Sequence, residues 1–157
     1  MPKNVEAVTE GFEVNIGRPY ADVPNPFGTE EKTYAEFFEH EFECAIKKFG
    51  IELDYRHQAQ LYRSGAYKQH ILTALDKRGE IFDILDSFRT QDAVEGEREA
   101  YYPVSVYCPE CGRDTTKITA YDDAAHTAKF ECSCGHCGDF DFTKDFNCKL
   151  AWKIDWP

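Results

Sequence analysis

The sequence predicts a mixed α/β (α+β) chain: a helical pair with short strands, followed by a β subdomain that carries cysteine pairs. Three observations predict it. Apolar residues recur at three-and-four spacing through much of the first hundred residues, and strand-like alternation takes over after them. Five of the seven cysteines then fall in two clusters, Cys108-Pro-Glu-Cys111-Gly and Cys132-Ser-Cys134-Gly-His-Cys137-Gly. The expected organisation is a helical α-β connective segment over residues 1–100, a cysteine-bearing subdomain over 101–147, and a returning strand over 148–157.

The cysteine clusters have metal-ligand spacing. Two thiolates from one tight turn can reach one ion, a following glycine lets backbone N–H groups fold toward the sulfurs, and two such knuckles make a tetrahedral Zn2+ site. The twenty residues between them, 112–131, read as a β-hairpin: residues 115–121 and 127–131 are rich in Thr, aromatic and β-branched residues, and Asp122-Asp-Ala-Ala-His126 supplies the turn. The pattern is that of a zinc ribbon. Five cysteines, Cys108, Cys111, Cys132, Cys134 and Cys137, compete for four positions. Cys134 with Cys137 mirrors the first pair and is the favoured second knuckle; Cys132 with Cys134 is the alternative. His136 is read as lying beside the site. Four protein ligands leave no open position for water, so such a metal would fold the segment and not catalyse.

Composition sets limits on function. At 157 residues and 42% apolar content the chain can bury one modest core and a small satellite. No apolar run approaches a membrane span and the N-terminus lacks a signal-peptide layout, so a cytoplasmic setting is expected, in which thiolates keep metal. A net charge of −11 argues against broad nonspecific binding to nucleic acid. A local basic face remains open, because residues 56–89 carry Arg56, Arg63, Lys68, Lys77, Arg78 and Arg89 among balancing acids.

Each element follows from local chemistry. Residues 17–28 hold prolines and glycines that define a connector. Thr29 is expected to cap a helix whose stripe, Tyr34, Phe37, Phe38, Phe42, Ala45 and Phe49, reads as core and ends at Gly50. Cys44 reads as a small buried residue, and Ile51-Glu-Leu-Asp-Tyr55 as a short strand. Ser64 is expected to cap a second helix running to about Arg89, with a bend possible at Gly79. Residues 90–99 are a hinge candidate, and Tyr102-Pro-Val-Ser-Val-Tyr107 enters the ribbon as a strand. At the end, Leu150, Trp152 and Ile154 fall on one face of an expected strand.

That last stretch, Lys149-Leu-Ala-Trp-Lys-Ile-Asp-Trp-Pro157, resembles a signature segment of class I lysyl-tRNA synthetases. Gly17-Arg-Pro-Tyr-Ala-Asp-Val-Pro-Asn-Pro-Phe-Gly28, Leu61-Tyr-Arg-Ser-Gly-Ala-Tyr67 and Val106-Tyr-Cys-Pro-Glu-Cys-Gly112 resemble the family's segments in the same order, and Pro2-Lys-Asn-Val5 the end of an early loop. Cys137 departs from the family's pattern after Cys-Gly-His. The resemblance implies the connective insertion of a split Rossmann-type catalytic domain, in an enzyme that uses ATP and Mg2+ to join lysine to tRNA(Lys). The family's His-x-Gly-His-like and Lys-Met-Ser-Lys-Ser-like ATP motifs are absent, so this chain by itself is expected to be inactive. The resemblance puts Trp152 beside the lysine pocket, with Trp156 only packing. It makes Arg63, Lys68, Lys77 and Arg78 candidates for phosphates of the tRNA acceptor end, and the rest of the synthetase chain a partner. The competing reading is a freestanding zinc-ribbon adaptor that binds RNA or protein without chemistry.

Overall fold

The computed structural model describes residues 11–155. Two 3-10 turns, Phe12–Asn15 and Tyr20–Asp22, lead into four helices: α1 (Tyr34–Lys48), α2 (Gln58–Arg63), α3 (Lys68–Asp76) and α4 (Arg78–Asp86). Five strands follow, β1 (Val104–Val106), β2 (Thr116–Asp122), β3 (Thr127–Cys132), β4 (Cys137–Asp141) and β5 (Cys148–Leu150), and then one helical turn, α5 (Trp152–Asp155). The mixed α/β class is as read from the sequence. Pro2, Val5 and Trp156 lie outside the described residues.

Helix α1 begins later than the sequence suggested, because the Thr29 hydroxyl is engaged in a turn with Asn25 and Glu31. Thr33 is the cap instead. Its side chain accepts from the Glu36 N–H while the Glu36 carboxylate takes the Thr33 N–H, a reciprocal box that satisfies two free donors. Gly50, at φ 70°, ends the helix as expected. Of the apolar stripe only Tyr34 is buried. Phe27 stacks on Phe37 at 4.1 Å, but Phe42 is 54% and Phe49 80% exposed, and Cys44 is exposed as well. Residues 51–55 form no strand either. They are extended and mostly exposed, and a strand requires a neighbour to take its backbone groups, which the described residues do not supply.

The expected second helix is three helices. Ser64 is the C-cap of α2 and not an N-cap, and Gly65, at φ 76°, turns the chain so tightly under Phe146 that an added Cβ would meet that ring at 2.7 Å. The chain breaks again at Lys77, two residues before Gly79. Gly79 has a different task, since a Cβ there would lie 2.9 Å from the Arg98 guanidinium. Arg98 grips Asp83 through two bonds of 2.7 and 2.8 Å, and Arg89 reaches Glu97 at 2.8 Å. The segment read as a hinge is therefore strapped back onto α4.

Two antiparallel sheets carry the β region. Strands β2, β3 and β4 form a meander, while β1 pairs with the distant β5, Val104 opposite Leu150 and Val106 opposite Cys148. One core joins helices to sheets: Tyr62, Ile71 and Leu75 pack with Val106, Phe130 and Phe142. Tyr62 ties this core to the chain's last turn. Its hydroxyl accepts the Leu150 N–H at 3.1 Å and donates to Asp155 at 3.0 Å, and burial pushes its pKa well above the ordinary range, so it stays a donor. The same contact corrects the C-terminal strand. Pairing stops at Leu150, Ala151 N–H turns to the Pro103 carbonyl, and residues 152–155 coil to bring Asp155 to Tyr62.

Replacing Tyr62 with Phe removes both bonds and leaves the Leu150 N–H buried without a partner. The expected cost is about 1–3 kcal/mol, read as a lower urea midpoint at unchanged slope.

Candidate metal centre

The first knuckle forms where β1 ends. Cys108 donates its N–H to the Arg113 carbonyl, and its own carbonyl takes the Gly112 N–H at 2.8 Å, with Gly112 at φ 69°. The second forms where β3 ends. The Cys132 carbonyl accepts from Gly135, which sits at φ 92°, and the Cys132 N–H donates to the His136 carbonyl. These turns bring four sulfurs together, those of Cys108, Cys111, Cys132 and Cys134, all within 4.8 Å of one another. Cys108 and Cys134 are 3.7 Å apart, as are Cys111 and Cys132. A tetrahedron with zinc–sulfur bonds of about 2.3 Å has edges of about 3.8 Å, so the sulfurs are spaced to hold such an ion.

The sulfurs that gather with those of Cys108 and Cys111 are thus the ones of Cys132 and Cys134, the alternative pairing, and not that of Cys137. Strand alternation explains it. Ala128, Phe130 and Cys132 share the buried face of β3, whereas Cys137 pairs opposite Glu131 and so shares its outward face. Cys137 is exposed and outside the cluster. The two glycines also differ: Gly135 takes the left-handed turn conformation, and Gly138 does not but lies so close to Phe130 that a Cβ would sit 3.1 Å from its ring. His136 is half-buried, its ring 5.8 Å from that of Phe130.

Electrostatics set these sulfurs apart from the buried Cys148. The Cys134 N–H and the Thr115 hydroxyl hold the Cys132 thiol down to about 6. Cys134 receives the His136 N–H, yet crowding by the Cys132 and Cys108 sulfurs pushes it up to about 12. Cys148, by contrast, is raised to about 12 by burial and is packed in the core.

The basic residues do not form one free face. Arg63 reaches Asp22 at 2.5 Å, Lys77 reaches Glu80 at 2.7 Å, and Arg56 reaches Asp54 at 2.9 Å. Arg78 is anchored more firmly, paired with Asp123 and lying over the rings of Tyr102 and Tyr121 at 5.6 and 5.2 Å. Lys68 is half-buried and makes no ion pair among the described residues. Trp152 is 70% exposed, while Leu150 and Ile154 pack on the core. It is neither the inward member of a strand nor a core tryptophan.

Asp114, a residue that no motif marks, is a junction. Its N–H donates to the Gly17 carbonyl at 2.9 Å and its carboxylate takes Lys149 at 3.1 Å, which joins the connector, a knuckle and β5. No spacing rule marks such a residue, because its partners lie far away in sequence.

A family model described as "tRNA synthetases class I (K)" matches residues 1–157. The chain belongs to that family. The Lysine--tRNA ligase of Pyrococcus horikoshii is 36% identical over 157 residues, covering 100% of this chain and 29% of that protein. That of Treponema pallidum is 37% identical over 99% of this chain and 29% of its own length, and that of Streptomyces coelicolor 31% identical over 100% of this chain and 32% of its own. This class I lysyl-tRNA synthetase segment therefore spans about three-tenths of the relatives it matches.

Two outcomes follow for this synthetase segment. Cys137→Ser should keep one zinc per chain by elemental analysis, while Cys132→Ser or Cys134→Ser should lose it to a chelator that leaves the unaltered chain loaded. Arg78→Ala should cost about 1–2 kcal/mol through the lost tyrosine contacts, seen as a melting temperature lower by a few degrees.

Proposed function

We propose that this chain acts as the zinc-braced connective part of a lysine-tRNA ligase, in which ATP and Mg2+ activate lysine for transfer to the acceptor end of tRNA(Lys). The observation that carries it is the family match over all 157 residues together with relatives more than three times as long. Zn2+ held by Cys108, Cys111, Cys132 and Cys134 would supply no chemistry to the reaction. It would fix the turns of a small β subdomain that buries little of its own surface. The adaptor reading explains the cysteines but not the match across residues 1–100.

The exposed stripe of α1 supports a role inside a larger protein. Phe38, Phe42, Phe49, Ile51 and Leu53 are all more than two-fifths exposed, more apolar surface on one side than a small solvated unit favours. The remaining synthetase polypeptide is the partner that would cover it, with residues 51–55 supplying a strand to its sheet. We take 1–100, 101–147 and 148–157 as the connective, ribbon and returning parts of that enzyme. A cytoplasmic site of action suits a tRNA ligase, and no helix among the described residues is long and apolar enough to cross a membrane.

The substrate contacts follow from exposure. Trp152 offers an indole free to line a pocket formed with the parent, where it would pack on the lysine side chain and its ammonium group. Lys68 is the least committed of the proposed phosphate contacts. Arg63 and Lys77 would exchange their carboxylates for phosphates at modest cost, since exposed ion pairs are weak. Arg78 would contribute by holding its helix in place.

The test uses the parent enzyme beside the isolated chain. Trp152→Ala in the parent should raise the KM for lysine about five- to thirtyfold, corresponding to about 1–2 kcal/mol, with the KM for ATP and the melting temperature nearly unchanged. The isolated chain should show only background lysine-dependent pyrophosphate exchange. Exchange well above background would overturn the reading of this segment as a non-catalytic part, and parallel changes in both KM values would make Trp152 a structural residue.

A further inference from the structure

The N-terminal connector and the first knuckle are interlocked. Asp114 donates its N–H to the Gly17 carbonyl at 2.9 Å, and Arg113 donates from Nη2 to the Val14 carbonyl at 3.2 Å. Gly17, at φ 86°, lies so close to Arg113 that an added Cβ would touch its side chain at 3.5 Å. Arg18 lies across Gly112, the residue after Cys111, with its Nε 3.7 Å from where a Cβ would stand. Each arginine thus packs on the glycine of the other's segment.

Arg18 and Arg113 share a second property. Both bury their Nε with no hydrogen-bond partner among the described residues. A buried donor on a cation is costly when unpaired, unless a negative field nearby offsets the loss of water. Four thiolates around one Zn2+ carry a net charge of about minus two, and such a centre beside Gly112 supplies that field.

We infer that Arg18 and Arg113 are positioning residues of the metal centre, which balance the charge of the zinc thiolates and thereby hold residues 11–22 against the knuckle. The inference rests on zinc occupying the four cysteines. It has a structural consequence away from the metal. Arg18 and Tyr20 form one wall of a cleft of about 370 Å³ whose other side is Tyr62, Tyr107 and Lys149, so the metal fixes the shape of a cavity to which it contributes no ligand. The coupling is reciprocal by thermodynamic linkage: whatever factor zinc adds to docking of the connector, docking adds to zinc affinity.

The experiment follows amide hydrogen exchange of residues 12–22 and zinc affinity, by competition with a chromophoric chelator, in the 157-residue chain. The double variant Arg18→Gln with Arg113→Gln should still bind one zinc, with affinity weakened about three- to tenfold, and its connector amides should exchange faster by a similar factor while those of β3 stay protected. The charge-keeping pair Arg18→Lys with Arg113→Lys should recover most of the zinc affinity. Connector exchange that is unchanged in the zinc-loaded Gln variant overturns the inference, and so does a Lys variant as weak as the Gln variant, since packing alone would then be at work. Should the Gln variant fail to fold, the Lys variant decides by zinc affinity: near that of the unaltered chain supports charge balance, and a loss of about threefold or more overturns it. An unaltered chain without stoichiometric zinc overturns the metal reading itself, whereas a zinc-bearing chain with an indifferent connector overturns only this inference.

Discussion

Mutual repulsion among four sulfurs is the constraint on which the β half of this chain depends. Thiolates held within 4.8 Å of one another resist ionising together. A divalent cation reverses the sign of that interaction. With such an ion bound, the turns at Gly112 and Gly135 would become favourable end points for β1 and β3, and the meander would gain an anchor at its base. The apolar face of the meander still needs cover, which Ile71, Leu75 and Tyr62 provide from the helices. The two devices are complementary: four sulfurs placed to hold an ion stand at one end of the sheet, and helix packing covers its face.

Much of the β region was legible in the sequence because its signals are local. The hairpin, its turn and the entering strand at Val104 follow from residue type and alternation, and the glycine after each cysteine pair pointed to knuckles. The choice between Cys132 and Cys137 was harder, since both alternatives put a glycine after the last cysteine. What separates them is the face of the sheet on which each side chain falls, and that depends on the register of β3 with β4. A register that pairs Glu131 with Cys137 sends that thiol outward whatever its spacing to Cys134.

The helical region misled where apolar residues were equated with burial. The stripe of α1 has the periodicity of a core helix and yet faces outward, because periodicity reports which side is apolar and not whether a partner is present. The same holds for residues 51–55, whose alternation suits a sheet that the described residues do not contain. Alternation continues past Leu150 and suggests a strand at Trp152, while the Tyr62 hydroxyl, 93 residues from Asp155, holds a coiled backbone there. Its effect could not be seen from neighbours in sequence. The candidate RNA-binding residues met a similar limit, since their carboxylate partners, Asp22 and Asp123 among them, become neighbours only on folding.

The pairing of β1 with β5 has a consequence for how this region could change over evolutionary time. Val104 and Leu150 face each other across one rung of the ladder, roughly 5 Å apart as such pairs are, so the chain leaves for the ribbon and comes back at nearly the same point. Turns that face solvent between them can be lengthened or trimmed without redirecting the polypeptide on either side. The two short strands behave as a clasp, and the ribbon hung from it is free to diverge at its solvent-facing turns, while the residues it packs on the helices stay constrained.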